Sequence, residues 1–358
     1  MATDTVTDGR WTASEARDWY ARLPWLCGFN FMPSSAVNFL EMWHRDTFDP
    51  DTIRRELSWA ADAGYNALRT NPQFLIWRHD RDGLIERFET LLDIAAGLKL
   101  GVVPCLFDDC EFSGADPVYG PQPDPVPGLH NSRAVGSPGR AVVAGGRLRN
   151  ELEAYVTGMI DPFAADERIL FWDLYNEPGN RYVFSHAGFS EADGPGDTQC
   201  AALMRDSFRW ARTVRPSQPL TVGAWQTPDA RHPGAAQFEH PLDVEAMALS
   251  DIVTFHAYVT AERMANLVAA LKRLARPVIC TEWMARALGS DIALTLPLLA
   301  SEKVGAFQWG LVAGRSQTHL PWPEAVIERN GGRVGTGQWF HDIFHHSGTA
   351  FDPAEIEV

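Results

Sequence analysis

Ile169-Leu-Phe-Trp-Asp-Leu-Tyr-Asn-Glu-Pro178 decides how the rest of the chain is read. Its β-branched and aromatic residues favour an extended strand, and Pro178 cannot donate to a ladder. The strand therefore stops with an amide, Asn176, and a carboxylate, Glu177, standing at its end. Pro277-Val-Ile-Cys-Thr-Glu-Trp283 has the same form, an apolar run that gives out at a lone glutamate, Glu282. The two runs predict two strands that bring two carboxylates face to face.

Working outward, strand-like runs recur at 26–32, 66–70, 101–107, 220–225, 252–258 and 305–312, and helical patterns separate most of them. Asp49-Pro-Asp51 opens a helix whose apolar positions are Ile53, Leu57, Ala60 and Ala61 and whose stop is Gly64. Further helical patterns cover 84–98, 148–163, 198–214 and the leucines 294, 296, 298 and 299, and a closing helix is expected over Gln338 to His345. Eight strands alternating with helices, with no composition break, predict an α/β chain folded as one (β/α)8 TIM barrel over 1–358. Residues 1–24 are a lead-in. Residues 108–146 are dense in Gly, Pro, Asp and Asn with neither period, and are expected to form a long loop beside the active site.

A chain of 358 residues that is 45% hydrophobic can bury a large core, and its net charge of −15 disfavours nucleic acid and anionic membranes as partners. The first ten residues carry neither a basic nor an apolar leader pattern, and no later run reaches the roughly 18 apolar residues of a membrane span. A cytoplasmic location is the expectation. Cys27, Cys105 and Cys280 lie in apolar runs, and the five cysteines show no metal-ligand spacing, so reduced thiols are expected and neither metal nor cofactor. His345-His346 reads as a solvated pair.

In a barrel of this kind the polar residues at the C-terminal strand ends build the active site. Those ends read Asn30, Arg69, Asp108, Asp109, Asn176, Glu177, Trp225, His256, Tyr258, Glu282, Trp283 and Trp309. Carboxylates supply acid, base and nucleophile for glycoside chemistry, and flat aromatic faces stack on sugar rings. A carbohydrate is the partner this set suits.

These residues resemble the retaining glycoside hydrolases of clan A, most closely family 5, the cellulases, mannanases and related β-glycosidases. The resemblance runs from Leu26 to about Trp339. It implies a strand-two arginine at Arg69, the acid/base pair at Asn176 and Glu177, the strand-six His-x-Tyr at His256 and Tyr258, the nucleophile at Glu282 and the strand-eight tryptophan at Trp309. Where many members carry a histidine after strand three, this chain has Phe107-Asp-Asp-Cys110. His130 or Asn131, from the long loop, is expected to take that place, and Asp108 and Trp283 join the substrate-binding set. Gln317 and His319 are candidates for the sugar or for loop packing, and Arg69 has an alternative role as buried partner of Asp173.

Carboxylates roughly 5–5.5 Å apart leave no room for a water, so the second attacks the anomeric carbon and configuration is retained. Glu282 is then the nucleophile, aimed by Arg69 and Tyr258, Glu177 the acid/base, and Asn176 a donor to the sugar 2-hydroxyl. Strict alternation sends Asn176 and Glu177 to opposite faces, so the strand end must bend. The long loop and the lack of a leader favour an exo-acting or small-glycoside β-glycosidase. The alternatives are a cellulase-like endo-β-1,4-glycanase and a catalytically silent carbohydrate-binding barrel.

Overall fold

The computed structural model describes residues 9–228, 237–335 and 337–358. Its strands are β1 (Cys27–Asn30), β2 (Ala67–Thr70), β3 (Gly101–Asp108), β4 (Trp172–Asn176), β5 (Tyr182–Ser185), β6 (Gly188–Glu191), β7 (Leu220–Thr221), β8 (Val253–His256), β9 (Val278–Trp283) and β10 (Gly305–Trp309). β5 and β6 form an antiparallel hairpin of their own. The other eight make one parallel sheet in the order β7-β4-β3-β2-β1-β10-β9-β8. A single bridge, Ala224 to Phe255, closes the gap between β7 and β8: Ala224 N donates to Thr254 O at 3.0 Å, and His256 N to Ala224 O at 2.8 Å. The architecture is the (β/α)8 barrel that the alternation predicts.

Local chemistry explains most boundaries. Asp49 accepts from Thr52 N at 3.0 Å and so caps the helix Pro50–Asp62, which carries proline in its first turn. The expected 84–98 helix begins earlier, as Phe74–Gly97 with a kink at Asp80. The closing helix over 338–345 does not form. Arg286 takes the carbonyls of Trp339, His341 and Asp342 at 3.2, 2.5 and 3.2 Å, and Phe344 bridges Val312 and Ala350, so a helix would have to surrender long-range bonds for local ones.

The barrel floor is apolar. Leu26, Ala67, Val103, Phe171, Ile252, Ile279 and Phe307 meet inside it, and Trp19 of the helix Ala13–Tyr20 closes it from below, edge-on to Phe171 at 6.3 Å. Gly28 is needed here, because a Cβ would stand 2.5 Å from the Phe307 ring. Residues 1–8 of the lead-in lie outside the described residues. Among the described residues no helix is long and apolar enough to cross a membrane.

Loop 108–146 is tied down along its length and contains a helical turn, Arg140–Gly145. Asn131 N donates to Ser316 O at 2.9 Å, Gly128 N to Gln317 Oε1 at 3.0 Å, and Asn38 Nδ2 to Arg133 O at 2.9 Å. It thus joins the loops that follow β1 and β10 and stands as a wall beside the barrel mouth. Phe184 N, from the β5–β6 hairpin, donates to Phe112 O at 2.9 Å and extends that wall past β4.

Candidate active site

A cavity of about 310 Å³ opens at the C-terminal ends of the strands. Its organising group is Arg69, 2% exposed on β2, whose five N–H donors are all engaged. Nε and Nη2 bind Asp173 Oδ2 at 3.0 and 2.8 Å, Nη1 binds Asn30 Oδ1 at 2.8 Å and Glu282 Oε1 at 2.9 Å, and Nη2 also reaches Asn176 Oδ1 at 2.7 Å. Arg69 therefore fills both roles open to it: structural partner of Asp173 and cationic clamp on Glu282. Asn176 Nδ2 in turn donates to Asp108 Oδ1 at 2.9 Å, and Asn71 Nδ2 lies 3.3 Å from Asp108 Oδ2, so a chain of amides runs along this side.

Two backbone irregularities aim the glutamates. Phe255 pairs with Cys280, but His256 pairs with Glu282, so Thr281 is an extra residue in β9. That bulge breaks the alternation and turns Glu282 inward. Just past β4, Glu177 has φ +44°, a left-handed conformation costly for a residue with a Cβ. The bend lets Asn176 and Glu177, adjacent in sequence, both line the cavity. Asp109 Oδ2 holds the turn by accepting from Gly179 N at 2.7 Å, while both its oxygens accept from Tyr175 Oη at 2.8 Å.

Oxygens of Glu177 and Glu282 and a ring nitrogen of His256 lie within 4.8 Å of one another. Tyr258 Oη donates to Glu282 Oε2 at 2.8 Å. Glu177 receives His256 Nδ1 on Oε1 at 2.8 Å and Asn180 Nδ2 on Oε2 at 2.7 Å, with Cys110 Sγ 3.2 Å from Oε2. His256 Nδ1 is 3.6 Å from Glu282 Oε2. Burial raises the Glu177 pKa, but the hydrogen bond and charge of His256 outweigh it and leave Glu177 below its ordinary value. Burial also raises Glu282, the Glu177 charge adds to it, and His256, Arg69 and Tyr258 only partly offset this. His256 is lowered by burial yet raised overall by the Glu282 charge and by Glu177. The three groups are electrostatically coupled, and His256 Nδ1 is nearer to Glu177 than to Glu282. Among the described residues this is the only group of His, Cys, Asp and Glu close enough to share a metal ion, and Arg69 and Tyr258 already occupy both oxygens of Glu282.

The cavity wall includes Asn30, Asp108, Trp225 and the half-buried Trp309 and Tyr258. Burial lifts Asp108 to about 7, against its bonds from Asn176 and the Cys110 N–H. Two expected substrate contacts are not in the wall. His130 is 1% exposed and packed among Phe184, Trp322, Phe340 and His341, with Nδ1 2.7 Å from Leu320 O; its neighbour Asn131 reaches the cavity instead. Trp283, 1% exposed, sits in the core with its indole N–H unpartnered among the described residues, because the bulge that turns Glu282 inward leaves the next side chain pointing to the helices. Gln317 packs the loop, donating to Val126 O at 2.7 Å, and His319 lies against Trp339 at 5.2 Å. Sequence reading missed Asn180, Cys110, Phe112, Tyr182, Phe184 and Trp322 as wall residues. For Asn180 a signal existed: Pro178-Gly179-Asn180 is a turn immediately after the glutamate.

No protein-family model matches the sequence, and no curated protein matches it. Solved structures do resemble the fold. A variant of GH5_18 from Streptomyces cattleya, in complex with Manb1-4GlcNAc, superposes with a TM-score of 0.57 at 16% identity, over 92% of this chain and 79% of that one. The exo-beta-1,4-mannosidase Op5Man5 from Opitutaceae bacterium strain TAV5 gives 0.54 at 16% identity, over 93% of this chain and 58% of that one. The endo-1,4-beta-D-mannanase of Thermotoga petrophila RKU-1 gives 0.52 at 13% identity, over 89% and 95%. At these identities the likeness is one of fold.

Proposed function

We propose that this chain is a retaining β-glycosidase with Glu282 as nucleophile and Glu177 as acid/base. The observation that carries it is the pair of carboxylates, with oxygens within 4.8 Å, held in one cavity by different kinds of partner. A gap of that size suits direct attack and double displacement, whereas inversion needs roughly 6.5–9.5 Å for an intervening water. Arg69 and Tyr258 favour the ionised form of Glu282 and aim it at the anomeric carbon. Glu177, 2.8 Å from His256 Nδ1, protonates the departing oxygen and then takes a proton from the attacking water. Asn176, oriented by Arg69 and Asp108, offers its amide to the 2-hydroxyl of the bound sugar.

Exo action, or action on small glycosides, is supported by the wall that loop 108–146 builds with the loop after β10. A polymer needs a groove open at both ends. The cavity volume is at the small end of ligand sites. Structural neighbours named as mannosidases and mannanases make the manno-configured glycone the first to test, ahead of gluco and xylo. The experiment is a screen of aryl β-glycosides with the first product anomer read by NMR, followed by 2-fluoro glycosyl labelling. Retention with the label on Glu282 supports the proposal. Activity that survives Glu282→Ala intact overturns the nucleophile assignment, a product ladder from a soluble mannan or glucan makes the enzyme endo-acting, and sugar binding without turnover makes it a binding protein.

A further inference from the structure

We propose, resting on the glycosidase function above, that the leaving-group half of this cavity receives an apolar, planar aglycone and not a second sugar. In double displacement the acid must reach the glycosidic oxygen, so the leaving group lies on the acid's side of the scissile bond. The surroundings of Glu177 therefore form the leaving-group site. Cys110, 3.2 Å from Glu177 Oε2, belongs to a separate apolar cluster with Phe112, Ala134, Phe184 and Val326, joined at its edge by Tyr182 and Trp322. The Phe112 and Phe184 rings stack at 4.4 Å and 4°, and both line the cavity.

Three segments build this wing: the loop after β3, the β5–β6 hairpin and the helix Glu324–Arg329. Arg329 and Asn330 stand at its rim. The Arg329 guanidinium lies over the Tyr182 ring at 6.0 Å and 3.8 Å from Glu191.

The two halves of the cavity differ in what they can satisfy. Around Glu282 the wall offers Asn30, Asn71, Asp108 and Asn176, a set of amides and a carboxyl group that matches the hydroxyls of a sugar. The four buried members of the Glu177 wing offer phenyl rings and alkyl groups alone. A sugar hydroxyl buried against these four side chains would lose a water partner and gain none from them, an unfavourable exchange. A flat apolar group would instead meet stacked aromatic rings of matching shape and chemistry. One cavity thus carries a glycone half and an aglycone half, told apart by their hydrogen-bonding capacity.

The test first finds the glycone with 2,4-dinitrophenyl β-glycosides, whose leaving group departs with little help from acid or wall. It then compares kcat/KM for the 2-phenylethyl β-glycoside and for the β-1,4-linked disaccharide of that same glycone. Both release unactivated alcohols, so their ratio reads the leaving-group site. At least a tenfold preference for the phenylethyl glycoside is expected, with Tyr182→Ala and Val326→Asn each lowering it severalfold. Equal rates, or a preference for the disaccharide, overturn the aglycone assignment while dinitrophenyl turnover and a labelled Glu282 leave the glycosidase standing. No turnover of any dinitrophenyl glycoside and no label overturn both.

Discussion

Replacing Tyr258 with phenylalanine removes one oxygen and leaves the ring in place, packed on Trp322 and His341 at 5.1 and 5.5 Å between centroids. The lost hydroxyl donates to Glu282 Oε2 at 2.8 Å, where Glu282 is only 6% exposed. A hydrogen bond to a charged acceptor is worth about 1.5–3 kcal/mol, and this one stabilises only the ionised carboxylate. Burial and the Glu177 charge already hold Glu282 above its ordinary value, and Tyr258 is among the groups that pull it back. Removing a downward pull moves the pKa further up, by about one to two pH units at 1.36 kcal/mol each. A nucleophile must be ionised, so the acidic limb of kcat/KM for an aryl β-glycoside moves to higher pH by that amount. Well below the limb the variant is slower by about 10- to 100-fold, and above it the two enzymes converge. A uniform loss at all pH values, or a limb that stays or moves down, refutes the idea that Tyr258 keeps Glu282 ionised.

Three further outcomes follow from other parts of the molecule. Glu56 is fully buried, bound to the Ser34 N–H and hydroxyl, and burial lifts it from 4.5 to about 7; a raised folded pKa gives stability present at low pH and lost as pH climbs through that window, so Glu56→Gln should remove about 3 kcal/mol of pH dependence from the denaturation free energy. Identical pH dependence in both proteins contradicts this. Trp283→Ala should cost about 3–5 kcal/mol of stability, while the folded variant keeps its activity, and Trp309→Ala should raise KM at nearly unchanged stability; chemical denaturation and steady-state kinetics on both variants would expose an inverted assignment. Asp109→Ala strands the Gly179 N–H and the Tyr175 hydroxyl at about 1–3 kcal/mol apiece, and should lower kcat far more than it changes KM, because Glu177 loses the support of its turn. An unchanged kcat would show that Asp109 does not hold that turn.

The barrel was readable because its signal is local and repeated: apolar strand-like runs recur, and strand parity brings a polar or aromatic side chain to the C-terminal end of most of them, from Asn30 to Trp309. Where parity breaks, inference from sequence fails. Thr281 is indistinguishable from any strand residue until its partners on β8 are known, so Trp283 looked as accessible as Glu282. The closing segment has a helical pattern, yet Arg286, some fifty residues earlier, claims the carbonyls that a helix there would use. His130 and Asn131 are neighbours in a loop without period, and only the bonds of that loop to Ser316 and Leu320 decide which of them faces the cavity. Tyr182-Val-Phe-Ser185 and Gly188-Phe-Ser-Glu191 are two four-residue strands joined by His186-Ala187, without the alternation that would mark a hairpin beside the stronger barrel strands.

The division of labour proposed for the glutamates rests on what their partners can do with a proton. Glu282 is held by a guanidinium and by a phenol whose burial keeps it protonated, and neither releases a proton to a carboxylate. Its charge is steadied but cannot be quenched from that side. Glu177 is held by His256, whose Nδ1 lies 2.8 Å from Glu177 Oε1 and 3.6 Å from Glu282 Oε2. The shorter path leads to Glu177, which supports the carboxylate just after β4 as the proposed acid/base. In the empty cavity the same contact keeps Glu177 below its ordinary value, because the imidazolium stabilises the carboxylate. An oxygen arriving with the substrate offers that proton a further acceptor, and Glu177 is the carboxylate placed to pass it on.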